Sequence, residues 1–127
     1  MKPHPGQRIY IAHPLQGDGS PEWGNKERNI RRYLAFCAYA TNQGFTVVSW
    51  IHHHLMHEAG LTTPEDPAGF YLSRDLSLVA VCDAVWRCAP MEVSAGLETE
   101  VAFARAKGIP VVSYPQWDDP DYFPVTE

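Results

Sequence analysis

Four short apolar runs alternate along this chain with segments of helical periodicity, and that alternation restricts the fold more than any other feature. The runs are Arg8–Ala12, Phe45–Trp50, Asp83–Cys88 and Ile109–Tyr114. Between the first two, Asn25 can cap a helix reaching Asn42-Gln43-Gly44, with Ile30, Tyr33, Leu34, Cys37, Ala38 and Thr41 at helical spacing. Asp66 can cap a second helix through about Val81, and Ser94 a third ending at Lys107-Gly108. Ile51 to Gly60 is histidine-rich and reads as a turn or a helix of one or two turns. Strand-like runs joined by helices, with glycine closing helical patterns, indicate βαβ units and a parallel sheet. Because the runs are apolar throughout rather than alternating, both faces of that sheet should be covered. The expectation is a single flavodoxin- or Rossmann-like α/β domain spanning residues 1–127, with a three-layer arrangement and a four- to five-stranded parallel sheet.

Composition narrows the function. A chain of 127 residues forms one domain with a real core. The formal charge of -5 disfavours a nucleic-acid polymer, whose phosphates demand clustered Lys and Arg, but leaves room for one small nucleotide. No apolar run approaches the ~20 residues of a membrane span. The opening Met1–Gly6 lacks the apolar stretch of a secretory signal. Cys37, Cys82 and Cys88 all lie in apolar stretches and read as buried reduced thiols, which indicates a cytoplasmic protein. Without a glycine-rich dinucleotide or phosphate-loop pattern, a nicotinamide oxidoreductase or an NTPase is not expected.

In an open parallel sheet, ligands bind at the carboxyl ends of the strands where strand order reverses. In a 2-1-3-4 order that point lies between the first and third strands. There the sequence places His13-Pro14-Leu15 and the loop leading into Ser94-Ala95-Gly96-Leu97-Glu98-Thr99-Glu100. A helix opening at Ser94 offers free backbone N–H groups to an anion or a sugar hydroxyl, with the Glu100 carboxylate close by. That combination suits cleavage of a bond at a sugar carbon. Trp50 and the histidines from His52 onward follow the second strand at the same end of the sheet, where Trp50 could stack on a base or sugar. His53 and His57 stand four apart, as a helical metal pair would, but no HExxH pattern or further ligand cluster accompanies them, and no metal is expected.

Each candidate also has a structural reading. Glu100 could be a solvated first-turn acid and Asp75 an exposed residue paired with Arg74. Tyr10 could be core filler, Trp50 buried packing, Ser94 a plain helix cap, and Asp83 a cap or turn residue before a buried strand.

Taken in order, several segments resemble the nucleoside 2-deoxyribosyltransferase-like superfamily, which includes 2′-deoxynucleoside 5′-monophosphate N-glycosidases. They are Ile9-Tyr10-Ile11-Ala12 with Asn25 and Arg28 behind it, Arg74-Asp75-Leu76 followed by Asp83-Ala84-Val85, and Ser94-x-Gly96-x-x-x-Glu100 followed by Ala104 and Gly108–Val111. The resemblance covers about residues 8 to 114. It implies that Glu100 is a nucleophile attacking the anomeric carbon, Asp75 the acid-side partner, and Tyr10 the hydroxyl that positions them. It implies that Ser94 and Gly96 cradle a phosphate or 5′-hydroxyl; His13, Pro14, Trp50 and His52 are further substrate-binding candidates by their place at the carboxyl ends of the first two strands. No cofactor is called for, the partner is a small nucleoside or nucleotide, and a homodimer is expected. A non-catalytic nucleotide-binding sensor or carrier is the alternative. Two departures stand out: His13 occupies a position where relatives often have glycine, and only Gln116–Glu127 follow the last strand, where some relatives have a longer segment that grips the 5′ end.

Overall fold

A computed structural model of the chain describes residues 6–15, 24–89 and 94–113. Residues 1–5, the polar loop at 16–23, the loop residues 90–93 and everything from residue 114, the expected end of the last strand, lie outside the described residues. The elements are β1 (Arg8–Ala12), α1 (Lys26–Asn42), β2 (Thr46–Val47), α2 (Ile51–Glu58), α3 (Pro67–Val79), β3 (Ala84–Arg87), α4 (Ala95–Ala106) and β4 (Val111–Ser113). The four strands form one all-parallel sheet in the order β2-β1-β3-β4, as the alternation of runs and helices predicts.

Helix starts follow their expected caps. The side chains of Asn25, Asp66 and Ser94 accept the backbone N–H groups of Arg28, Gly69 and Leu97, respectively. Helix ends repeat a second device. Gly44 and Gly108 adopt φ of 95° and 74°, the left-handed region that glycine enters without a Cβ penalty. Around each, two backbone bonds close the helix: Phe45 N–H to Ala40 C=O with Gly44 N–H to Thr41 C=O, and Ile109 N–H to Ala104 C=O with Gly108 N–H to Arg105 C=O. The chain therefore leaves α1 and α4 already aimed into the next strand. Helix α3 is the exception, ending at Ala80 without a glycine.

Register places the helices on opposite faces of the sheet. Ile11 pairs with Trp86 and Tyr10 with Val85, and neighbouring side chains along a strand point to opposite sides. Trp86 packs against Tyr39 of α1 and against Phe45, whereas Tyr10 reaches Glu100 of α4. The core between these layers is built from Ile9, Ile11, Val85, Trp86, Tyr33, Phe36, Leu97 and Val101, all buried.

Two sequence expectations need correction, and a third is decided between its alternatives. The strand expected over Phe45–Trp50 pairs only at Thr46–Val47, because Trp50 turns away to open α2. Of the two readings open for the histidine-rich segment, the helix of about two turns holds, over the eight residues Ile51–Glu58. The buried stripe of α1 is Asn29, Tyr33, Phe36 and Ala40, while Leu34, Ala38 and Thr41 are exposed. Asn29 can occupy the core because its side-chain amide donates to the Leu15 carbonyl at 2.8 Å.

Asp83 is structural: its carboxylate accepts the Arg8 N–H at 2.8 Å while its own N–H donates to the Arg8 carbonyl, fastening β3 to β1. Cys82 and Cys88 are buried, Cys37 is half-buried, and all three are free thiols. Among the described residues no helix is long and apolar enough to cross a membrane.

Candidate active site

The centre of the sheet carries a hydroxyl and an acid. Tyr10, midway along β1 and fully buried, donates its phenolic O–H to Glu100 Oε2 at 2.6 Å. Glu100 lies in the second turn of α4 with 7 % of its surface exposed, so it is not the solvated acid that its place near a helix start allowed. Burial penalises its charged form and pushes its pKa up to about 8; the neighbouring Asp75 charge pushes the same way, and the Tyr10 hydroxyl opposes both. Burial, together with the Glu100 charge, drives the Tyr10 phenol well above its ordinary value, so it stays protonated.

Asp75 sits on α3, with its side chain 17 % exposed. Its partner is His53 of α2, whose Nδ1 lies 2.7 Å from Asp75 Oδ1; Arg74 instead stacks over the Phe70 ring. Burial raises the Asp75 pKa to about 6, against the lowering effect of its bond to His53. At neutral pH the proton therefore rests on Glu100, and Asp75 is ionised.

A cavity of about 310 Å³, within the size range of small-molecule sites, opens between α2 and α3. It is lined by Leu15, Trp50, His53, His54, His57, Glu58, Pro67, Ala68, Tyr71 and Asp75. Trp50 is packed into the core and also lines the cavity. Its indole N–H donates to the Ile11 carbonyl at 3.1 Å and its ring packs 4.4 Å from Tyr33, yet one edge faces the cavity. That anchor fixes the rotational phase of α2, turning His53, His54 and His57 toward the cavity and leaving His52 exposed and off its wall.

The remaining candidates scatter around this core. His13 is buried with Nδ1 at 2.9 Å from the Pro14 carbonyl, near the rings of Tyr33 and Phe36. Burial lowers its pKa to about 4 and keeps it neutral. Pro14 is buried beside it, and neither residue lines the cavity. Ser94 caps α4 by accepting the Leu97 N–H at 3.3 Å. Among the described residues, a Cβ on Gly96 would meet only Ser94 Oγ, at an ordinary 3.7 Å, so their packing does not require glycine there.

Sequence reasoning thus names Tyr10, Glu100, Asp75 and Trp50 in one region and places the histidine-rich segment beside them, but picks His52 where His53, His54 and His57 line the cavity, and misses Tyr71. The four-residue spacing of His53 and His57 carried the signal, since it puts both on one helix face. Among the described residues, no three His, Cys, Asp or Glu side chains gather closely enough to hold a metal ion.

Fold and site together define an open parallel α/β domain with a buried Tyr–Glu pair at its central strand and an aromatic-walled cavity beside it. The chain belongs to the family DUF7768, a domain of unknown function, whose model matches residues 7–114 and so takes in all four strands. No curated protein and no solved structure matches the chain.

Proposed function

We propose that this chain cleaves or transfers the N-glycosidic bond of a nucleoside or nucleoside 5′-monophosphate by a retaining mechanism. The observation that carries the reading is the 2.6 Å bond from Tyr10 to Glu100, with Asp75 close enough for its charge to act on both. Glu100, ionised and oriented by the Tyr10 hydroxyl, attacks the anomeric carbon, and the bond to the base breaks with its electron pair passing to the base. The Asp75 side of the cavity supplies the proton that the base takes up. Water then releases the sugar, or a second base accepts it. No step calls for a cofactor. The same reading makes the partner a small nucleoside or nucleotide and the protein a cytoplasmic homodimer.

The test is release of free base from a panel of ribo- and deoxyribonucleosides and their 5′-monophosphates, followed by chromatography. Release by the parent and its loss in Glu100→Gln is the expected result. A second reading, a nucleotide-binding sensor or carrier without turnover, has its own support: Glu100 is 7 % exposed and is not among the residues lining the cavity. Binding of a panel member without release of base from any of them would select it.

A further inference from the structure

The cavity wall holds a second ordered arrangement, distinct from the Tyr10–Glu100 pair. His53 places Nδ1 2.7 Å from Asp75 Oδ1, and facing an ionised carboxylate that nitrogen must carry the proton. The ring is also fixed from its face: Tyr71 stacks on it with centroids 5.9 Å apart and planes 27° from parallel. Tyr71 is fixed in turn, its hydroxyl 2.5 Å from Thr62 Oγ1 and 3.2 Å from His57 Nδ1. A histidine whose Nδ1–H is committed to a carboxylate has a fixed tautomer and a single remaining lone pair, on Nε2. Both members of the pair line the cavity.

We propose that His53 is the proton-carrying group of this cavity and that Asp75 is the positioning residue behind it. The inference rests on the glycosidic reading and refines the acid side of it. In the reactive form His53 is the imidazolium, with Nδ1–H on Asp75 and a second proton on Nε2. As Glu100 bonds to the anomeric carbon and the carbon–nitrogen bond breaks, Nε2–H protonates the nitrogen of the departing base and the ring is left neutral with its lone pair on Nε2. Water then attacks the same carbon and gives its proton to His53 Nε2, and the bond to Glu100 breaks to restore the carboxylate. One proton leaves His53 and one returns, and the products are free base and free sugar. Asp75 remains ionised throughout, holding Nδ1–H.

Two measurements test this. In the first, nitrogen NMR on histidine-labelled protein should find neutral His53 in the Nδ1–H tautomer, and Asp75→Ala should shift it toward Nε2–H. An Nε2–H tautomer in the parent overturns the proposal. In the second, made with the nucleoside that releases base fastest, His53→Ala should lower kcat by about 10²- to 10⁴-fold with KM changed only a few-fold. Free imidazole should restore part of that rate, which a merely structural histidine would not allow. His53→Asn, which keeps an N–H for Asp75 and so guards against misfolding, should show the same loss. A loss confined to KM, or one that imidazole leaves untouched, overturns the proposal. If the folded parent releases no base from any nucleoside, the reaction falls and the transfer step with it, while the tautomer still decides whether the His53–Asp75 dyad exists.

Discussion

Replacing Glu100 by Gln should stabilise the fold, and by an amount that grows with pH. In the unfolded chain Glu100 titrates near its ordinary 4.5, but in the folded protein burial holds the pKa at about 8. Folding therefore takes up a proton across that interval. The sign follows directly: the stability tied to the protonated acid is fully present below about pH 4.5 and is lost as pH rises through 8. Each tenfold change in proton affinity is worth about 1.4 kcal/mol. The cost of keeping the acid buried is then about 1 kcal/mol at pH 5, about 3 kcal/mol at pH 7 and about 4 to 5 kcal/mol at pH 8.5. Glutamine has the same shape, accepts the same Tyr10 O–H bond and does not ionise, so it avoids this cost. For a domain of this size about 3 kcal/mol corresponds to roughly 10 °C in Tm. Thermal or urea unfolding of parent and variant from pH 4.5 to 8.5 measures the gap, because every other titrating group is common to both. Stability curves that run parallel over that range would refute the argument that Glu100 is buried and proton-bearing.

Tyr10→Phe removes the hydroxyl that favours the ionised carboxylate, so the pH at which Glu100 loses its proton should rise above the parent's; carboxyl-carbon NMR of Glu100 reads it. Asn29→Leu leaves the Leu15 carbonyl without its donor and should cost about 1 to 3 kcal/mol in urea unfolding. If Glu100 is the nucleophile, only about a tenth of it is ionised at pH 7, and with a substrate whose leaving group needs no protonation the rate of release should climb as pH approaches 8. A rate that falls over pH 6 to 8 would remove Glu100 from that role.

Much of this architecture is legible in residue order because local chemistry decides it. Asn25, Asp66 and Ser94 sit at helix starts for the same reason that any short polar side chain does, and Gly44 and Gly108 at helix ends because only glycine enters the left-handed region freely. The misreadings come from positions that distant contacts decide. The face of α1 looks as if it runs through Leu34 and Ala38 until the Leu15 carbonyl supplies a partner that lets Asn29 go inside. The choice between His52 and His53 depends on the rotational phase of α2, and that phase is set by the Trp50 bond to Ile11, 39 residues away. Glu100 is recognisable as a candidate from its motif, but its burial depends on the β1–α4 packing that brings Tyr10 to it.

The strand order has a consequence for how the protein is made. Of the four strands β1 leaves the ribosome before the others, yet its neighbours are β2, which pairs through two residues, and β3, which begins only at Ala84. Until about two-thirds of the chain has emerged, the most buried strand of the finished sheet has one open edge and no counterpart to Arg8 at Asp83. Nascent chains of that length should present the apolar Ile9–Ala12 run to chaperones and proteases, and lose that sensitivity once β3 has cleared the exit tunnel.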